Sequence, residues 1–450
     1  MNKPLRTTIY KLAPAVLISL IATGLGLLSL FKSKVPMIQD FGLMLTIGIA
    51  IAFLLALFVL LPILSIRTKL NEKDKKITNN KQSKYVLVMK NITKGVLKLK
   101  YVILVVAVLL AGTGFYFDQK VGVETDMETF MPQDSEALAD INELRVLIGS
   151  TDRIVLMYEA SNIDDYTVLI EVKAVTDMIL TDYSSNVIMV GSVSSMLDMA
   201  SSNNWNAANY QVYLDKLPSE QLALVQSTEE NIAIINISLT DMDDETFELF
   251  MTNLDASLTE LDLSFDITIT GQSVVEQEML NSMTSDRLMI TLISIALVFI
   301  VLLIIYRNPL KTIIAILPII FIVGWSGGIM YLLGFDYTPL TSTIGALIVG
   351  IGTEFTILIS MRYYELKKQS KDNDDEIIAN AVGLMSKPII VSAITTIGGF
   401  SALVFSDFQI LSNFGTMTLI NISLALLSSI FVLPALLGVF RKKTKGLAIS

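Results

Sequence analysis

One carboxylate stands in the middle of an apolar run: Glu354, within Gly350 to Leu366, "GIGTEFTILISMRYYEL". Holding an ionised carboxylate near the centre of a membrane helix costs about 2.5 to 3.5 kcal/mol on insertion scales, so something must compensate. Burial disfavours the charged form of a carboxyl. A glutamate that is sealed and then wetted therefore takes up and releases a proton, which is what a proton carrier must do. At helical spacing Gly345, Gly352, Thr353, Thr356 and Ser360 offer small or hydroxylated surface beside it, suited to close packing and hydrogen bonds between helices. On the following span Ser392, Thr395 and Thr396 are candidate partners, although such hydroxyls also bond back to their own helix. The bland alternative for Glu354 is a structurally paired acid, because Arg362 lies about two turns away; Arg362 itself reads first as an interfacial anchor. Gly327 and Gly328, after Trp325, read as packing glycines or a hinge, and Asn421 is polar without an identified partner.

Other chemistries are excluded or unsupported. The chain has no cysteine and no histidine, which removes disulfides, thiol catalysis and the commonest zinc ligands. It has no GxxxxGK[ST] phosphate loop, so ATP is not the expected direct energy source. Neither enzyme activity nor a cofactor is expected. The run "TDMDDETFE" (Thr240 to Glu248) concentrates acids but lacks the ligand spacing of a calcium loop and reads as a solvated helix start.

The elements that must position Glu354 are membrane spans. The chain has 450 residues, 52% of them hydrophobic, with a mean hydropathy of +0.61, more than a soluble core of this length requires. A spanning helix needs roughly 20 mostly apolar residues. Eight windows qualify, at 13–31, 42–64, 101–117, 288–306, 311–333, 339–361, 388–405 and 413–440. The first follows the basic segment "MNKPLRTTIYK" and has no small-residue cleavage site after it, so it reads as a retained span. Residues 67–100 carry eleven basic and two acidic side chains, whereas 118–286 carry five basic and 32 acidic. The excess of Lys and Arg marks the cytoplasmic side. The first segment is therefore expected inside, the second outside, and both termini cytoplasmic; the net charge of −10 averages the two populations.

The acidic segment has its own rhythm. "RIVLMYEA" (Arg153 to Ala160) and "NVIMVGSV" (Asn186 to Val193) read as strands flanking a helical pattern, and "NIAIINISL" (Asn231 to Leu239) and "DITITG" (Asp266 to Gly271) repeat the order. Two β-α-β units predict a ferredoxin-like α/β sandwich. Its exit, from about Ser273 to Asp286, leads into the fourth span, so movement of the domain would be transmitted to the membrane. The connector at 362–387 reads either as an amphipathic helix along the membrane, with Ile377, Ile378, Ala381 and Val382 on one face, or as a short solvated link.

An internal repeat organises the spans. At a constant offset of 373, Ser19, Thr23, Gly26, Leu30, Ser33, Phe41, Gly42 and Met44 fall on Ser392, Thr396, Gly399, Leu403, Ser406, Phe414, Gly415 and Met417. Pro14 and Pro62 meet Pro388 and Pro434 with a one-residue slip each. The repeating unit reads as one span, an ectodomain and five spans, so the chain holds one full unit and the last two helices of another.

The residues "GIGTEFTILISMRYYEL", "SKPIIVSAITTIGGFSALVFS" and "NFGTMTLINISLALLSSIFVLPAL", with "VETDMETFMPQDSEALADINELRVLIGSTDRIVLMYEA" at the start of the ectodomain, resemble the resistance-nodulation-division superfamily, in its MMPL-type, hydrophobe/amphiphile efflux branch. The resemblance implies a polytopic α-helical membrane protein, here of about eight spans, with an extracytoplasmic ferredoxin-like α/β porter domain. It also implies the division of the chain. Residues 1–66 would be the last two spans of a first half, 67–100 a basic linker and 101–117 the first span of the second half. Residues 118–287 would be the porter domain, 288–361 three spans with the acidic motif, 362–387 a connector, 388–440 the last two spans and 441–450 a tail. The family's signature falls on Gly350, Gly352, Glu354, Phe355, Arg362 and Tyr363. Phe355 stands where the family more often has tyrosine, so a hydroxyl that would assist a proton relay is missing.

The function implied is ion-gradient-driven export of lipids or hydrophobic and amphiphilic compounds across the cell membrane, with a second half supplied by another chain or copy. Ion coupling would fall to Glu354, Phe355, Thr353, Ser392, Thr395 and Thr396, and helix packing to Gly350, Gly352, Gly399 and Gly415. The alternatives are a Sec-type translocation accessory, which shares the six-span unit, and a non-transporting regulator or relic. No nucleic-acid partner and no metal are expected.

Overall fold

The structure is a computed structural model that describes residues 3–60, 62–63, 84–124, 128–148, 152–227, 229–369 and 372–440. Most of the expected basic linker, at 67–83, and the basic tail at 441–450 lie outside the described residues. In chain order the helices are α1 (Lys3–Leu28), α2 (Pro36–Leu55), α3 (Lys84–Lys98), α4 (Lys100–Asp118), α5 (Glu136–Ile148), α6 (Tyr166–Asp182) and α7 (Val193–Ser201). After two short helices at Tyr210–Leu214 and Ser219–Leu222 they continue with α8 (Asp244–Glu260), α9 (Gln272–Tyr306), α10 (Pro309–Leu333), α11 (Ile344–Gln369), α12 (Asp374–Val404), α13 (Gln409–Leu427) and α14 (Leu433–Phe440). The strands are β1 (Arg153–Glu159), β2 (Val187–Gly191), β3 (Gln226–Ser227), β4 (Ile232–Leu239) and β5 (Ile267–Thr270).

Among the described residues, seven helices are long and apolar enough to cross a membrane: α2, α4, α9, α10, α11 with its 3₁₀ entry, α12, and α13 continued through α14. The first expected window falls in α1 and the 3₁₀ turn after it, where the apolar helix among the described residues runs Val16–Lys32. Local signals set the ends. Pro36 and Pro309 open α2 and α10, where a missing N–H costs nothing. Asn308 caps α10 by accepting from the Lys311 N–H at 3.2 Å, and Gly334 closes it with φ of +67°.

The chain divides into two compact units, Met1–Glu124 with Ser282–Ser450, and Thr125–Asn281. The second unit is the α/β layer. Its sheet is antiparallel with order β2-β4-β1-β5, and β3 adds onto β4. Leu156 on β1 stands opposite Ile235 on one side and Ile269 on the other. That order, with a helix between the strands of each pair, is the split β-α-β arrangement expected from the sequence. Along β4, Ala233, Ile235, Ile237 and Leu239 are buried and alternate with half-exposed residues, as a sheet covered on one face requires. They share a core with Val172, Val175 and Ile179 of α6 and Phe250 and Leu254 of α8. The acidic run before α8 is a helix start: Asp243 accepts from the Thr246 N–H at 2.8 Å.

In the helical unit, α4 and α10 pack backbone to backbone. A Cβ placed on Gly114 would lie 2.0 Å from the Gly324 carbonyl oxygen, and one on Gly328 would lie 2.9 Å from Gly114 Cα. Of the two readings of the connector at 362–387, the helix lying along the membrane is not what is seen: α11 continues to Gln369 and the chain resumes in α12, where Ile377, Ile378, Ala381 and Val382 are all buried. The amphipathic helix α3 packs on α12, with Val86 and Lys90 over Gly383 and an ion pair from Lys94 to Glu376 at 2.7 Å. The apolar face therefore meets protein.

The two hairpins of the repeat make matching contacts. Gly42 lies under Leu30 and Gly415 under Leu403, each leaving 2.7 Å between a hypothetical Cβ and the leucine Cβ. The Ser33 hydroxyl accepts from the Val35 N–H at 3.1 Å, and the Ser406 hydroxyl accepts from the Phe408 N–H at 3.2 Å. Phe41 and Phe414 meet each other edge to face at 5.5 Å.

Candidate functional site

The motif helix α11 begins in a threonine turn. The Thr338 N–H donates to Thr341 Oγ1 at 2.7 Å and the Thr341 N–H donates to Thr338 Oγ1 at 3.2 Å, so two otherwise unpaired backbone donors are satisfied before the helix starts. From there α11 is buried on most of its circumference. Helix α1 crosses it where glycines meet: a Cβ on Gly26 would lie 3.6 Å from Gly350 Cα. Close approach lets polar groups bond across the crossing. Thr23 Oγ1 donates to the Gly350 carbonyl at 2.9 Å, and Ser294 Oγ, from α9, donates to the Gly26 carbonyl at 3.1 Å.

One turn beyond that crossing, Glu354 faces a cavity of about 290 Å³. Its wall includes Ser19, Leu20 and Thr23 of α1, Leu45 and Ile49 of α2, Phe355 of α11, and Thr396 and Phe400 of α12. Glu354 is half-buried and has no hydrogen-bond or ion-pair partner among the described residues. Arg362, the partner that the paired-acid alternative needs, pairs with Glu365 instead. A lone carboxyl facing a partly polar cavity between helices from both copies of the repeat is chemically a group that can exchange a proton with water entering that space.

The structure brings together Gly350, Glu354, Phe355 and Thr396, which share this cavity. Thr353 is fully buried and its hydroxyl donates to the Gly350 carbonyl at 2.7 Å, so it holds the helix rather than the cavity. The side chain of Ser392 is half-buried and does not line the cavity; its carbonyl accepts from Thr396 Oγ1 at 3.0 Å. Thr395 is exposed and bonds back to the Val391 carbonyl at 2.8 Å. One residue is about 100° of helix turn, which is why Thr396 reaches the cavity while its neighbour points away. Gly352 packs on Ile319 at an ordinary 3.5 Å and Gly415 tightly on Leu403. Gly399 does not pack: nothing lies within 4 Å of its Cβ position, although its repeat partner Gly26 is at the α1–α11 crossing. The cavity hydroxyls absent from the sequence reading of the site are Ser19 and Thr23, and the signal was their alignment with Ser392 and Thr396.

A second buried polar cluster was also missed. Arg287 Nη1 donates to both oxygens of Asp118 at 2.9 Å, the Tyr337 hydroxyl donates to Asp118 Oδ1 at 2.6 Å, and the guanidinium lies over the Tyr337 ring at 3.8 Å. Burial above all, and the adjacent Asp118 carboxylate against the pull of Arg287, hold the Tyr337 phenol far above its usual range, so it stays a donor. Gly327 makes the room: a Cβ there would fall 2.2 Å from Asp118 Oδ1. The sequence signal was the pair of opposite charges at the two ends of the expected 118–287 segment.

Comparison with known proteins gives this arrangement a family. The model of the MMPL family matches residues 134–445. Membrane protein MJ1562 of Methanocaldococcus jannaschii is 26% identical over 329 residues, which is 70% of this chain and 84% of that one. MmpL8 of Mycobacterium tuberculosis, named as a sulfolipid-1 exporter, is 26% identical over 176 residues, 38% of this chain and 15% of its own length. Among solved structures, SecDF of Thermus thermophilus, a translocon-associated membrane protein, superposes with a TM-score of 0.53 at 15% identity, over 97% of this chain and 50% of that one. That likeness shows the fold alone, and this chain spans half the length of SecDF and a smaller part of MmpL8. With the family model covering most of its length, the chain belongs to the MMPL family, within the resistance-nodulation-division superfamily of membrane transporters.

Proposed function

We propose that the chain is the ion-coupling half of an exporter of lipids or other hydrophobic and amphiphilic compounds, driven by a proton gradient through Glu354 and working with a second half. The observation that carries this reading is the position of Glu354: a carboxyl without a side-chain partner among the described residues, on a cavity lined by Thr23 and Thr396 from the two copies of the repeat. Family membership and the named function of MmpL8 support the substrate class. In this reading Glu354 is protonated while the cavity is sealed and releases its proton when water enters from the other side, and Gly350, held by Thr23 and Thr353, keeps the crossing tight as the helices shift. The basic linker and tail face the cytoplasm and the acidic α/β unit lies outside, following the Lys and Arg bias.

The test is gradient-driven flux in proteoliposomes carrying the chain, with and without a candidate second half, comparing wild type with Glu354→Gln. Export of a labelled amphiphile that needs both the imposed pH gradient and Glu354 is the expected result. Flux unchanged by the substitution would make Glu354 structural and remove the coupling role.

A further inference from the structure

Asn421 and Thr418, on α13 where it packs against α11, are buried in the helical unit at 5% and 1% exposure. Asn421 Nδ2, Asn421 Oδ1 and Thr418 Oγ1 have no hydrogen-bond partner among the described residues. All three belong to side chains that line one small cavity, of about 10 Å³, against Leu347, Ile348, Ile351 and Gly352 of α11. A buried polar group left unsatisfied costs about 1 to 3 kcal/mol. A protein does not place three such atoms around one space inside a membrane bundle without something to bond them. The space is that of a single water, which needs about 10 to 15 Å³ and two to four polar partners.

The repeat sharpens this. At the same offset of 373, Leu45, Gly48 and Ile49 of α2 correspond to Thr418, Asn421 and Ile422 of α13. Leu45 and Ile49 line the Glu354 cavity, as Thr418 and Ile422 line the small one, so α2 and α13 approach α11 with equivalent turns. The apolar turn of one copy has become polar in the other. Leu347 and Ile351 line both cavities and form the wall between them.

We propose that Asn421 and Thr418 hold a water molecule that is the next station for protons beyond Glu354, with the side chains of Leu347 and Ile351 as the barrier between the two. This rests on the reading of Glu354 as the coupling carboxyl. When the barrier parts, the water accepts a proton on one lone pair and releases another onward, so its composition is unchanged. The amide and the hydroxyl orient it, each able to donate and accept.

Two measurements on the full chain, reconstituted with the second half where the flux assay shows that it is needed, test this. In proteoliposomes with an entrapped pH dye and an imposed pH gradient, Asn421→Leu and Thr418→Val should each lower proton uptake at least fivefold, and Glu354→Gln at least tenfold. Radiolytic hydroxyl labelling, which reports bound water in place, should mark the peptide spanning 409–427 in wild type and lose that mark in Asn421→Leu. Thr418→Val is nearly isosteric, so its effect is not one of misfolding, and monodisperse elution checks both variants. Loss of uptake in Glu354→Gln with wild-type rates in Asn421→Leu and Thr418→Val would overturn the relay and leave the Glu354 reading standing. Wild-type uptake in Glu354→Gln would overturn that reading and the relay with it. A wild-type peptide that takes no label would overturn the water site, and uptake that follows a sodium rather than a proton gradient would overturn the proton relay.

Discussion

The Asp118–Arg287–Tyr337 cluster makes the sharpest quantitative prediction about the helical unit. Asp118 and Arg287 have side chains only 9% and 15% exposed, and their contacts at 2.9 Å have little solvent to screen them. Breaking a buried pair by removing one partner costs about 3 to 5 kcal/mol, because the remaining charge is left unpaired, whereas replacing both with apolar groups is often neutral. Asp118→Asn should therefore destabilise the chain by about 3 to 5 kcal/mol, and Arg287→Met by a similar amount. The double variant should cost far less than their sum. Tyr337→Phe removes a 2.6 Å hydrogen bond to a charged group and should cost about 1.5 to 3 kcal/mol. The assay is reversible unfolding of the purified chain in mixed micelles by titration with a denaturing detergent, at fixed pH, for the four members of the cycle. Single variants that each cost under about 1 kcal/mol, or a double variant equal to the sum of the singles, would show that the pair is solvated and the reasoning wrong.

Other expectations follow from single contacts. Gly114→Ala should cost at least 1 kcal/mol, the lower end of overpacking penalties (~1 to 3 kcal/mol), because its Cβ would strike the Gly324 carbonyl. Gly112→Ala, with nothing within 4 Å, should be neutral or stabilising by up to about 1 kcal/mol; equal effects in a thermal melt would refute the packing of α4 on α10. Gly350→Leu should push α1 away, since even a Cβ there comes within 3.2 Å of Thr23 Cγ2, and cysteine crosslinking between the two helices would report a weaker yield. The hydrogen bonds from Thr246 hold the Asp243 carboxyl below its usual range. A depressed folded value contributes stability that is present above the unfolded value, about 3.9, and is lost as pH falls through the folded one. Asp243→Asn keeps the cap but cannot titrate, so its acid unfolding curve should lack this component; identical curves below about pH 4 would count against the cap.

The sequence by itself determined the class of the molecule. Windows of about 20 apolar residues allow only membrane helices, the β-branched run "IAIINISL" of β4 reads as a strand, and the identities at offset 373 marked two equivalent hairpins. Glu354 was legible for the same reason, since a carboxylate in such a run conflicts with its surroundings. Which side chains face it was not legible. Helical phase separates Thr395 from Thr396 by about 100°, and only the crossing of α1 over α11 at Gly26 and Gly350 decided that Thr23 and Thr396 share its cavity while Thr395 and Gly399 face outward. The Asp118–Arg287–Tyr337 cluster joins Asp118 to residues 169 and 219 positions further along the chain, and the unsatisfied atoms of Asn421 and Thr418 are defined by what is absent around them. Contacts of that kind depend on how helices far apart in sequence pack together, and no local pattern of residue types encodes them.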